Sequence, residues 1–131
     1  MNGTTSSTKP DSTRYATHLS ALFPPLACVG VPALVGACKD AWYNQTLCQV
    51  EISVLRLSVM QGEYHRHKHD HDDEFFFVLE GEFLVDLTDR TVTRGPRLGF
   101  VAPKGPEHRT PAPQGAVILM EKNAGIIPTG D

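Results

Sequence analysis

The stretch that decides the fold runs from Gly62 to Glu82 and reads GEYHRHKHDHDDEFFFVLEGE. Four of the chain's six histidines fall here at every second position, His65, His67, His69 and His71. Asp72, Asp73 and Glu74 follow, then an aromatic and aliphatic run closed by Gly81. Side chains on a strand repeat every two residues, so the four histidines can share one face. Glu74 has the wrong parity for that face, so the chain must turn or bulge between His69 and Glu74. The apolar-free Asp70–Asp73 is where that turn belongs. Beyond it, Phe75 to Leu79 is apolar on both faces, as expected of a strand buried in a two-layer sandwich. Glu74 then opens a buried strand, where an unpaired carboxylate is costly and a nearby cation removes the cost. Imidazoles and a carboxylate able to face one point suit Fe(II), Mn, Ni, Zn or Cu. A polar His-rich loop is the plain alternative. A purification tag is excluded by the cluster's internal position and mixed composition.

Outward from this stretch the chain reads as strands. The candidates are Ala33–Ala37, Cys48–Gln61, Glu74–Leu79, Glu82–Leu87, Arg90–Thr93, Gly99–Ala102 and Ala116–Lys122, several of them β-branched or aromatic. Glu80-Gly81 and Thr88-Asp89 read as tight hairpin turns, and Gly95-Pro96 and Lys104-Gly105-Pro106 as further turns. Tyr15 to Phe23 suits one short helix stopped by Pro24-Pro25. Residues 1–14, rich in Ser, Thr, Gly and Pro, read as a tail. Residues 15–131 then form one domain with its core at about 32–125. The expected class is all-β and antiparallel, with a short N-terminal helix or irregular arm.

Composition excludes several partners. The 131 residues are 40 % hydrophobic and 21 % charged with a net charge of −3, and no Lys/Arg cluster suggests nucleic acid. The apolar run Leu22–Ala37 is too short and too rich in proline and glycine to span a membrane, and it would be happier covered than exposed. No secretory signal opens the chain, so the cytoplasm is the expected compartment and the Asn44-Gln45-Thr46 sequon is chance. Cys28, Cys38 and Cys48 contain no CxxC pair and read as buried, reduced thiols. Phe76, Phe83 and Phe100 read first as core, and only second as the lining of a pocket. Trp42 and Tyr43 precede an expected turn, and His18 reads as structural.

A second segment, Phe100 to Arg109 (FVAPKGPEHR), carries a strand end, a Pro/Gly turn and His108. Together, His67-x-His69-x4-Glu74-x6-Gly81 and Pro103-x-Gly105-x2-His108 resemble the two motifs of the cupin superfamily. The ending AVILMEKNAGIIPTGD is similar to that of small single-domain cupins described as mannose-6-phosphate isomerase-like. The resemblance covers about residues 32–131. It implies a double-stranded β-helix, the jelly-roll barrel, holding one divalent metal ion (Fe, Mn, Zn, Ni or Cu) through His67, His69, Glu74 and His108. His65 and His71 fall outside the pattern and read as solvent-facing or as neighbours of the ligands, with an alternative ligand or an acid/base group as the second reading of either. The resemblance further implies a homodimer and a small-molecule substrate or ligand.

The sequence departs from the pattern in three ways. Arg97 and Leu98 stand where the second motif has a glycine and an acid, leaving Gly95 and Gly99 to shape that turn. Ala112 replaces an asparagine sometimes found after the last histidine. Gly62 lies one residue closer to His67 than usual. The expected function is a small metal-dependent enzyme of dioxygenase, isomerase or lyase type, acting on an oxygen-rich or carbonyl-containing molecule. No catalytic acid or base is assigned. A non-catalytic module for a small ligand or sugar is the alternative, because one fold hosts many functions. A structural zinc site is disfavoured by a ligand set without cysteine.

Overall fold

A computed structural model describes residues 16–39, 41–62, 72–105 and 108–124. In chain order its elements are β1 (Ala16–His18), α1 (Val31–Ala37), β2 (Trp42–Val50), β3 (Ser53–Gly62), β4 (Glu74–Gly81), β5 (Phe83–Asp86), β6 (Thr91–Arg94), β7 (Gly99–Ala102) and β8 (Ala112–Asn123). Six strands form one sheet in the order β1-β2-β3-β8-β4-β7, and β5 and β6 form a second. The sheets do not close into a complete barrel.

Alternation along the strands creates the interior. Val54, Arg56, Ser58 and Met60 of β3, with Ala116, Ile118, Met120 and Lys122 of β8, are all buried. Glu74, Phe76 and Val78 of β4 join them, and Phe83 and Val85 of β5 close the opposite layer. Each fully buried Phe or Ile contributes roughly 1.5–3 kcal/mol of transfer free energy. The segment after β7 returns beside β5. Arg109 N donates to Asp86 O and Asp86 N to Arg109 O, at 2.9 and 2.7 Å, and Leu84 N donates to Pro111 O at 3.1 Å. His108 therefore enters the interior from the smaller sheet.

The outer face of the larger sheet is covered as well. Phe23, Val31, Leu34 and Val35 pack over Leu47, Leu57 and Val117. A bulge between Thr46 and Cys48 lets the successive residues Leu47 and Cys48 both join this outer cluster.

Several expectations are corrected. The helix lies at Val31–Ala37, where a strand was expected, because Pro32 suits a first helical turn. The Tyr15–Phe23 helix is absent from the described residues, which there hold β1, paired in parallel with β2, and then bends; the sheet is thus not wholly antiparallel. Cys48–Gln61 is two strands, separated at Glu51 by a turn with φ 55°. Trp42 and Tyr43 open β2 rather than precede a turn. Glu80-Gly81 makes no hairpin: β4 pairs with β7 and β8, and the chain crosses there to the other sheet. Phe75 is exposed and Phe77 and Leu79 half-buried, so β4 is fully buried on one face only. Cys28 is exposed, Cys38 and Cys48 are half-buried, and none forms a disulfide. Among the described residues, no helix is long and apolar enough to cross a membrane.

Candidate functional site

Glu74, the first residue of β4, pairs with Ala102 of β7 on one side. On the other side the pairing of Phe75 with Glu121 brings Lys122 alongside it. Glu74 is 2 % exposed, His108 2 % and Lys122 3 %. The Glu74 Oε1 and His108 Nε2 atoms face one another at 3.8 Å, too far for a hydrogen bond. The Lys122 ammonium sits 2.8 Å from the other carboxylate oxygen, Oε2. The His108 ring lies edge-on to Phe76, with centroids 6.5 Å apart.

Arg56 is the third charge of this interior, only 1 % exposed. Its Nε donates to the Thr46 hydroxyl at 2.9 Å, and nearby the Ser58 hydroxyl donates to Asn44 Oδ1 at 2.5 Å. Burial pushes the Arg56 guanidinium below its ordinary pKa, against the attraction of Glu74. Burial also pushes the Lys122 amine down. The Glu74 charge and hydrogen bond oppose that shift, while the Arg56 charge adds to it. Two cations thus share the field of one carboxylate in a buried place.

The four residues proposed from the motifs divide. Glu74 and His108, 34 positions apart in sequence, meet in the interior. His67 and His69 lie outside the described residues, as do His65 and His71. Among the described residues no three His, Cys, Asp or Glu side chains gather as a metal-holding group. Phe76 and Phe83 are core, their rings tilted at 44° with centroids 5.2 Å apart, and Phe100 packs against that core with Arg94 over its ring. His18 lies 5.6 Å from the Tyr43 ring on the outer side.

Lys122 and Arg56 were not among the sequence candidates. Their signal was parity: Arg56 alternates with Val54, Ser58 and Met60, and Lys122 with Ala116, Ile118 and Met120. In AVILMEK the unbroken apolar run hides that alternation.

A divalent ion can be tested against the two donors present. First-row metals lie about 2.0–2.2 Å from imidazole nitrogen or carboxylate oxygen. Two ligands of one ion are therefore between about 3 Å and about 4.4 Å apart, depending on the angle between them. The 3.8 Å separation of Glu74 Oε1 and His108 Nε2 falls in that range. As far as they go, these two residues fit a metal ion.

Comparison with known proteins places this geometry in a family. The Cupin domain model, Cupin_2, matches residues 55–120, half of the chain and the part that spans β3 to β8. The chain belongs to the cupin family. It is 38 % identical over 79 residues to the uncharacterized protein YdbB of Bacillus subtilis (strain 168), covering 60 % of this chain and 70 % of that one. A cupin-2 domain containing protein from Shewanella frigidimarina superposes with a TM-score of 0.69 at 23 % identity, over 72 % of this chain and 93 % of that one. An RmlC-like cupin from the same organism gives 0.56 at 20 % identity, over 63 % and 75 %. These solved structures share the jelly-roll fold with this chain.

Proposed function

We propose that this protein is a metal-binding cupin and a small metal-dependent enzyme of dioxygenase, isomerase or lyase type, acting on an oxygen-rich or carbonyl-containing molecule. The observation that carries the reading is the buried pair of Glu74 and His108, held 3.8 Å apart by β4 and by the segment that bridges to β5. His67 and His69 would complete the ligand set. A divalent ion there would supply Lewis acidity for a substrate carbonyl or, as Fe(II), a centre for O2 chemistry. The chain's own contribution is separable from the ion's. Phe76, Phe83 and Met120 surround the site with buried apolar surface, and a low-dielectric setting strengthens every charge interaction there. The positive charges of Arg56 and Lys122 favour substrates that are anionic or become so during reaction.

Elemental analysis of untagged protein tests the reading. Wild type should carry about one divalent ion per chain, and His67→Ala and His108→Ala should lose it. Unchanged stoichiometry in both variants would defeat the ligand assignment. With metal present, O2 consumption measured on diketones, catechols and thiols separates an oxygenase from a lyase or isomerase. Metal-free protein that binds a sugar-like ligand would instead identify a non-catalytic binding module.

The same reading includes pairing of two copies and residence in the cytoplasm. Phe75, Leu98 and Val101, 38 %, 54 % and 53 % exposed, lie on and beside the edge strand β7, the kind of surface a partner covers. Three thiols outside any disulfide suit a reducing compartment.

A further inference from the structure

We infer that Lys122 is a positioning residue for the metal site: by holding Oε2 of Glu74 it turns Oε1 toward His108, so that Glu74 can give an ion one oxygen and not two. The inference rests on the reading that Glu74 and His108 hold a metal. The two oxygens of one buried carboxylate are in unlike surroundings. Oε2 meets an ammonium at 2.8 Å, while Oε1 faces imidazole nitrogen at 3.8 Å. Strand register fixes this arrangement, since Lys122 is the inward residue of β8 beside Glu74 and Arg56 lies diagonally across on β3. The Arg56 side chain is anchored through Nε to Thr46.

Two consequences follow, one geometric and one electrostatic. A carboxylate gripped at one oxygen binds an ion through the other alone, which leaves a coordination position for water or substrate. A positive charge on the far side of that carboxylate also competes with a divalent ion for the same negative charge. Between unit charges about 5 Å apart in a partly shielded interior this repulsion is strong enough to change affinity tenfold or more. Lys122 therefore keeps the ion less tightly bound and its coordination incomplete. The carboxylate partner of a ligand ordinarily supports it; here a cation does so, with the opposite effect on donor strength.

Cobalt(II) provides a readout independent of activity, because its visible bands are intense at low coordination number and weak at six. The full chain is stripped with chelator and reloaded, and affinity and spectrum are measured for wild type, Lys122→Met, Lys122→Gln and Lys122→Arg, with circular dichroism as the check on folding. In Lys122→Met both oxygens of Glu74 become available, so the bands weaken and affinity rises at least tenfold. Lys122→Gln keeps a hydrogen-bond donor and removes the charge, so affinity rises while the spectrum stays that of wild type. Lys122→Arg keeps both properties of wild type. Should Lys122→Met fail to fold, the affinity of Lys122→Gln decides. Wild-type spectrum and affinity in every folded variant would overturn the role of Lys122 and leave the metal reading standing. Failure of wild type to take up cobalt would overturn both.

Discussion

The ion pair of Glu74 with Lys122 is buried on both sides, and such pairs are far easier to break than to improve. Removing either partner strands a charge away from water. In metal-free protein, Glu74→Gln and Lys122→Met should each cost about 3–5 kcal/mol. The double variant should cost less than their sum, a coupling that urea titrations in a double-mutant cycle will measure. Additive losses would mean that the 2.8 Å contact has little energetic weight. The pH dependence follows from the lowered value of Lys122. Between that value and the ordinary 10.5, the unfolded chain binds the lysine proton more readily than the folded one. Its contribution to stability therefore improves as pH rises through this window and worsens as pH falls through it. Stability of chelated wild type relative to Lys122→Met should climb toward alkaline pH; a flat difference would contradict the assignment.

At the scale of elements, two backbone positions explain how the chain turns between sheets. Gly81 has φ 80°, and a Cβ there would lie 2.2 Å from the Gly115 carbonyl of β8. Gly81→Ala should cost about 2 kcal/mol or more, from strain and from displacement of β8. Arg97, standing where the family motif has glycine, takes φ 70°. A left-handed conformation costs a residue with a Cβ roughly 1–2 kcal/mol, and glycine returns roughly 0.5–1 kcal/mol of that as chain entropy. Arg97→Gly should therefore stabilise by about 0.5–1 kcal/mol in the same titrations. Legibility in sequence also divides by element. Gly99–Ala102 was readable to the residue because turn signals bracket it, and the partners Glu74 and His108 because their motifs have fixed spacing. The helix was not, since Val31–Ala37 is as apolar as a strand and only Pro32 hints at its geometry. The β2–β3 turn was hidden because Glu51-Ile52 carries none of the Gly, Pro or Asn that usually announce one. Lys122 was missed because a charge inside a core defies the polarity pattern that sequence reading relies on.

At the scale of the whole molecule, the jelly roll is dressed differently on its two sides. The outer face of the large sheet is sealed by α1 and the arm before it, whereas the β4–β7 end leaves Phe75, Leu98 and Val101 in solvent. If two copies pair there, sedimentation should give a dimer and Val101→Asp should shift it toward monomer, with little effect on the metal site. A dimer unaffected by the substitution would place the interface elsewhere.

The strand β8 lies between β3 and β4 in the large sheet, although it is the last of the described strands in chain order. A ribosome that has released β1 to β7 has released two incomplete halves with no seam between them. Neither half can acquire its hydrogen-bonding partner, and Glu74 cannot acquire Lys122, until β8 emerges. Because its pairings with β3 and β4 join residues distant in sequence, their formation is slow by its topology. Folding of this domain therefore waits for β8, and until then the exposed edges of β3 and β4 are surfaces for chaperones to guard.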